Sequence, residues 1–144
     1  MKNKGFTLIE TLATLIILSI LFMIAVPSIT TLVNKVNENR IKEDAETFIQ
    51  LAKHYVEKHI DFEVKSDKKE YLYLIKDCDD NKCIDMNKLS DEYEAGREEQ
   101  EGSYVTISDC KFNDTDVYEC TYFVNLTNNK LTATGEEGNI SVQK

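Results

Sequence analysis

A single carboxylate, Glu10, stands in an otherwise uncharged apolar stretch. From Phe6 to Val26 the chain reads FTLIETLATLIILSILFMIAV, and Glu10 is the only ionisable side chain in it. An acid in hydrocarbon costs several kcal/mol, so one found there marks a function and needs a partner. The other groups that could do chemistry lie far downstream: Cys78, Cys83, Cys110 and Cys120, the pair His54 and His59, and an oxygen-rich cluster of Asp77, Asp79, Asp80, Asn81 and Asp85. The histidines are five apart, a spacing that does not place two side chains on one helix face, so they read as surface residues. The cluster lacks the D-x-[DN]-x-[DN]-G pattern of a calcium loop. No Ser/His/Asp set, Cys/His pair or glycine-rich phosphate loop is present. These absences predict no catalytic residue, no metal, no cofactor and no enzyme.

Four cysteines allow three pairings. The local pairs Cys78–Cys83 and Cys110–Cys120 are favoured: the first closes a polar loop over Asp79 to Lys82, and the second staples two adjacent strands. Zinc is the rival, but C-x4-C and C-x9-C fit zinc ribbons poorly and neither histidine is near. Disulfides require an oxidising compartment, which an exported domain would meet.

The element that positions Glu10 is the apolar run itself. About 20 apolar residues cross a bilayer core, and this run is just long enough. Its hydroxyl residues, Thr7, Thr11, Thr14 and Ser19, can return their bonds to the helix backbone. Lys2 and Lys4 precede it, which places the N-terminus in the cytoplasm and everything after Pro27 outside. A signal peptide would be shorter and would end in a small-residue cleavage site; Val26-Pro27-Ser28 is a poor one. A plain anchor fits the length but leaves Glu10 without a purpose. The third reading is a segment that leaves the membrane and packs in a helical bundle, where the acid acquires a partner.

Lys4-Gly5 followed by FTLIE at the mouth of an apolar helix resembles the prepilin signature of type IV pilins and pseudopilins. The resemblance is close from Lys4 to about Pro27 and loose beyond it. It implies that a prepilin peptidase cuts between Gly5 and Phe6 and N-methylates Phe6. Residues 1–5 are then a leader, 6–27 a transmembrane and filament-core helix, and 28–144 the pilin head. It further implies that Glu10 pairs with the Phe6 amine of a neighbouring subunit. An uncompensated buried charge is costly and a paired one tolerable, so the pair would set the stagger between subunits. Pro27 is a candidate kink, since an internal proline removes one backbone bond; by analogy the turn holding Ser19, Ile20 and Leu21 can melt on assembly. Some secretion pseudopilins hold calcium in their heads, but the cluster here lacks the loop pattern for it.

Composition bounds the rest. The 144 residues make one domain plus an anchor, and the formal charge is −9, falling to −11 once Lys2 and Lys4 are removed. Such an acidic exterior repels nucleic acid, so no direct nucleic-acid binding is expected of the head. Apolar residues recur at three- and four-residue steps from Ile29 to Val56, predicting that one amphipathic helix continues over 28–58. Residues 59–102 are polar and irregular, with Tyr71 to Ile75 as an apolar island that reads as a short strand or helix turn, and Ile84, Met86, Leu89 and Tyr93 as a short helix or loop. Residues 103–144 alternate with turn signals at Asn128-Asn129 and Gly138, predicting an antiparallel meander. Asn113, Asn125 and Asn139 open glycan sequons, a motif short enough to occur by chance.

The expected fold class is α+β: a long N-terminal helix, its first half transmembrane, packed on a small antiparallel sheet head. The expected function is a structural subunit of a type IV pilus-like surface filament. Its partners would be further pilin copies, the membrane before assembly, the prepilin peptidase, and the assembly ATPase and platform protein of the machine. The alternatives are a pseudopilin of a competence or type II secretion machine, and a monomeric bitopic membrane protein.

Overall fold

The computed structural model describes residues 7–59, 68–78, 82–96, 100–112 and 118–144. One helix, α1, spans Leu8–Lys58. It is followed by strands β1 (Glu70–Ile75), β2 (Cys83–Asp85), β3 (Tyr104–Phe112), β4 (Tyr118–Thr127), β5 (Thr132–Glu136) and β6 (Asn139–Gln143). The class is α+β, as the sequence predicts. No glycine falls between Gly5 and Gly96, so nothing in the α1 sequence but Pro27 opposes a continuous helix. The helix continues through Pro27. The Oγ1 atoms of Thr30 and Thr31 donate to the Pro27 carbonyl at 2.9 and 3.0 Å, and Ser28 Oγ donates to Ile24 O. At the other end the His59 N–H reaches the Tyr55 carbonyl at 3.1 Å, and the His59 ring stacks on Tyr55 with centroids 4.1 Å apart.

Contacts divide the chain into two units, one up to Asn37 and one from Glu38 to Lys144. In the first unit every described residue is exposed, including Ile16, Leu21, Phe22 and Ile24. The apolar stripe expected to seek a core from Ile29 onward stays exposed at Ile29, Leu32, Val33 and Val36.

Burial begins in the second unit. Ile41, Ala45, Phe48, Ile49, Ala52 and Val56 recur at steps of three and four and make one apolar face. Their partners are the alternate residues of the sheet: Leu72 and Leu74 on β1, Val105 and Ile107 on β3, Val124 and Leu126 on β4, Ala133 on β5 and Ile140 on β6. Period-two alternation therefore commits one side of each strand to this core.

The six strands run in the order β2-β1-β3-β4-β5-β6. From β1 to β6 all neighbours are antiparallel, but β2 lies parallel to β1, with Tyr73 opposite Cys83 and Ile75 opposite Asp85. The antiparallel meander expected over 103–144 is present as β3 to β6; the whole sheet is mixed because β2, upstream of it, lies parallel to β1. Parallel neighbours normally need a crossover of a dozen or more residues. Here β2 is only three residues long, so the chain has to run back only about 7 Å before pairing. The region 59–102, read as a variable loop region with a short strand or helix turn at Tyr71 to Ile75, contributes β1 and β2. Gly96 answers to close packing: a Cβ there would lie 2.3 Å from the Ser103 carbonyl oxygen and 2.9 Å from Tyr73 side-chain atoms.

Candidate functional site

The start of α1 is built by two residues. Thr7 precedes the first helical residue, and both its backbone N–H and its Oγ1 donate to Glu10 Oε2 at 2.9 Å. The Glu10 N–H in turn donates to the Thr7 carbonyl at 3.0 Å, and the Thr11 N–H reaches the same oxygen at 3.2 Å. A carboxylate three residues into a helix that reaches back to the N–H of the cap residue forms half of a capping box. It also places negative charge where the helix dipole favours it. Glu10 thus has a role within its own chain. The sequence reading missed Thr7 as its partner, although the pattern T-x-x-E ahead of an apolar run was there to be read. Thr11 Oγ1, Thr14 Oγ1 and Ser19 Oγ return to the carbonyls of Leu8, Thr11 and Ile16 at 2.7–2.8 Å, as expected of helical hydroxyls. Thr7 alone of the four spends its hydroxyl on the acid.

Gly5 and Phe6, with Lys2 and Lys4, lie outside the described residues, and so does the geometry of the expected cleavage site. Downstream of Glu10, α1 is long and apolar enough to cross a membrane, and none of that apolar stretch is buried within the chain.

In the head, disulfides join Cys78 to Cys83 and Cys110 to Cys120. The second sits where β3 carries a bulge: Ser108 pairs with Thr121 and Lys111 with Glu119, so Asp109 and Cys110 together oppose Cys120. Asp109 takes a left-handed conformation, φ 52°, as the first residue of a G1-type bulge does. Of the oxygen-rich cluster, Asp79, Asp80 and Asn81 lie outside the described residues. Asp85 caps the turn after β2 through the Asn87 N–H at 3.0 Å. Among the described residues no group of three His, Cys, Asp or Glu side chains is placed to hold a metal. His54 and His59 do border one cavity of about 160 Å³ with Lys58 and Lys88, although their spacing spoke against a shared face. Of the sequons, Asn113 lies outside the described residues, Asn125 gives its amide to the Gly102 carbonyl at 2.7 Å, and Asn139 is exposed at the start of β6.

A polar cluster inside the head also went unread in the sequence. Asp44, only 6 % exposed, accepts from Ser90 Oγ at 2.6 Å, from the Ser90 N–H at 3.3 Å and from the Tyr93 hydroxyl. Burial, and then the Asp44 carboxylate, push the Tyr93 phenol well above its ordinary range. A helical acid thereby fastens the segment after β2 onto α1.

Residues 1–26 match the family model described as the prokaryotic N-terminal methylation motif. This is the prepilin-type motif of type IV pilins. The chain therefore carries the N-terminal signature of a type IV pilin or pseudopilin, a structural family processed by a prepilin peptidase and assembled into polymers. No curated protein and no solved structure gives a significant match to the chain.

Proposed function

We propose that this protein is a pilin, the structural subunit of a type IV pilus-like surface filament. One observation carries the reading: an apolar helical stretch that its own chain leaves wholly exposed, with a single acid at its head. Such a surface has two stable surroundings, lipid and other copies of itself.

The sequence of events follows from charge and solubility. The precursor inserts with Lys2 and Lys4 on the cytoplasmic side. The peptidase cuts after Gly5, where the missing side chain leaves the backbone open to close approach, and methylates Phe6. The Phe6–Thr7 peptide bond survives the cut, so Thr7 keeps the N–H it gives to Glu10. The new Phe6 amine is cationic near neutral pH. Both Thr7 bonds fall on Oε2, and Oε1 then receives the Phe6 amine of a neighbouring subunit. Thr7 aims the carboxylate, and the amine neutralises it. A subunit docked one step out of register leaves both charges unpaired in a low-dielectric bundle, a penalty of several kcal/mol per ion. The head, oxidised and acidic, coats the filament on the outside. A cytoplasmic assembly ATPase and a membrane platform protein complete the machine.

The test is the intact mass of sheared surface filaments, with and without reductant. The expected species begins at a methylated Phe6 and gains four hydrogens on reduction. A chain that keeps residues 1–5, or is never recovered in filaments, overturns the proposal.

A further inference from the structure

The sheet of the head has a second side, facing away from α1. Tyr71 and Tyr73 alternate with the buried Leu72 and Leu74 on β1, and Tyr104 and Phe123 alternate with the buried Val105 and Val124 on β3 and β4. Register brings these rings together, with Tyr73 opposite Tyr104 and Phe123 opposite Thr106, whose other neighbour is Tyr71. The Tyr71 and Tyr73 rings lie 6.3 Å apart with 22° between their planes, and Tyr104 stands edge-on to both at 5.8 and 6.5 Å. All three tyrosines are half-buried, and Phe123 is 41 % exposed.

The surroundings of the rings are unusual for this chain. Two outward rows cross β1, β3, β4, β5 and β6, one from Tyr71 to Asn139 and one from Tyr73 to Ser141. Charged residues make up 30 % of the chain, yet Glu136 is the only one in these ten positions. The remaining places hold aromatic rings, hydroxyls and amides. Two of those polar groups are tied down, Asn125 to the Gly102 carbonyl at 2.7 Å and Ser141 Oγ to the Thr134 carbonyl at 3.1 Å. The platform is therefore preorganised and, apart from Glu136, uncharged.

We propose that this tyrosine face binds a neutral glycan chain, its pyranose rings lying on Tyr71, Tyr73, Tyr104 and Phe123. The ligand class follows from the chemistry of the face. Aromatic faces carry negative charge density and attract the polarised C–H bonds on the flat side of a sugar ring. Phenolic hydroxyls at the ring tips can give and accept the hydrogen bonds that sugar hydroxyls need. Tyrosine presents this area at little conformational cost, having two side-chain torsions. A polyanion would stack on the same rings, but the net charge of −9 repels it. Within these ten positions a protein partner held by charge would find only Glu136 to pair with. From β1 to β4 is two strand spacings, about 10 Å, enough for a short oligosaccharide. The proposal concerns the head alone and stands whether or not the protein forms filaments.

The experiment titrates full-length protein in detergent with chitohexaose and with cellohexaose, both flat and uncharged. The chain has seven tyrosines and no tryptophan, so intrinsic fluorescence reports on tyrosine environments directly. Wild type is expected to bind at least one of the two saturably. Tyr71→Ala with Tyr104→Ala should weaken binding about tenfold or more, equivalent to about 1.4 kcal/mol. Tyr104→Phe keeps the ring and should stay within about threefold. Phe123→Ala, at the most exposed of the four rings, should weaken binding even if the double variant fails to fold. Absence of saturable binding by wild type overturns the proposal. So does unchanged affinity in a folded alanine variant, tighter binding of single-stranded oligo-dT, or self-association that the same variants abolish.

Discussion

Thr7 and Glu10 hold one another across the first turn of α1, with the Thr7 amide and hydroxyl both donating to Glu10 Oε2 at 2.9 Å. An acid that the sequence offers chiefly as a partner for another molecule already has a partner in its own chain. Helix capping and subunit register are two different demands on one carboxylate, and they can be separated by substitution.

Glu10→Gln keeps a side chain that can still accept the Thr7 amide, as glutamine does in capping boxes. It removes the charge that a neighbour's amine needs. Both Glu10→Gln and Glu10→Ala are therefore expected to insert in the membrane and to abolish surface filaments, as judged by electron microscopy and sheared fractions. Full assembly of Glu10→Gln would reduce the acid to a cap alone.

Thr7→Ala removes the hydroxyl and leaves the amide. Loss of a capping side chain costs about 0.5–2 kcal/mol, felt in the first turn of the helix. Faster hydrogen exchange at Ile9, Glu10 and Thr11 in detergent, with exchange in the head unchanged, is the expected result.

Replacing Cys110 and Cys120 together by serine opens the β3–β4 staple. A loop of this length gives about 2–3 kcal/mol, so the head should melt several degrees lower while keeping its far-ultraviolet spectrum. The bulge at Asp109 is expected to become the first part of the hairpin to exchange.

Asp44→Ala strips the Ser90 and Tyr93 hydroxyls of their acceptor. Leaving a buried donor unsatisfied costs about 1–3 kcal/mol, and denaturant midpoints would measure it. Tyr93→Phe removes one donor only and should cost less. Asp44→Asn keeps an acceptor and should fall between wild type and alanine.

Glu137 sits at the turn before β6, where Lys53 and Gln50 of α1 both donate to it, Gln50 at 2.8 Å. The hydrogen bond from Lys53 holds its carboxyl below the ordinary value of 4.5. A depressed acid stabilises the fold above its unfolded pKa and loses that contribution as pH falls through the folded one. Wild type should thus lose stability relative to Lys53→Met below about pH 4.5. The side chains are 31 % and 48 % exposed, so the difference at neutral pH should stay under about 1 kcal/mol.

Much of this architecture was legible before any coordinates. The α1 helix announced itself through a run with no glycine and one proline, and β3 to β6 through two-residue alternation. The two local cysteine pairs are the ones joined. Other parts were hidden for physical reasons. β2 offers three residues to a pattern that needs more, and its parallel pairing depends on a return too short to be expected. Asp44 looks in sequence like any polar residue of a helix, because its donors Ser90 and Tyr93 lie far along the chain. Thr7 was visible, but the apolar run drew the reading toward lipid and away from helix-capping chemistry. The exposure of Ile29 to Val36 is likewise opaque to periodicity, which says that a face is apolar without saying what covers it.

Both sulfur bridges lie between segments of the sheet, Cys78–Cys83 beside β1 and β2 and Cys110–Cys120 across β3 and β4. Neither has α1 as an anchor. Tension applied along the helix reaches the strands through side-chain packing, the Asp44 cluster, and the contacts of Lys53 with Glu137, Tyr55 with the Lys82 N–H and Glu38 with Lys144. Under load, α1 can shear off the sheet without either bridge being strained, so the bond that yields first in a pulled subunit is a noncovalent one that reforms when the force is released.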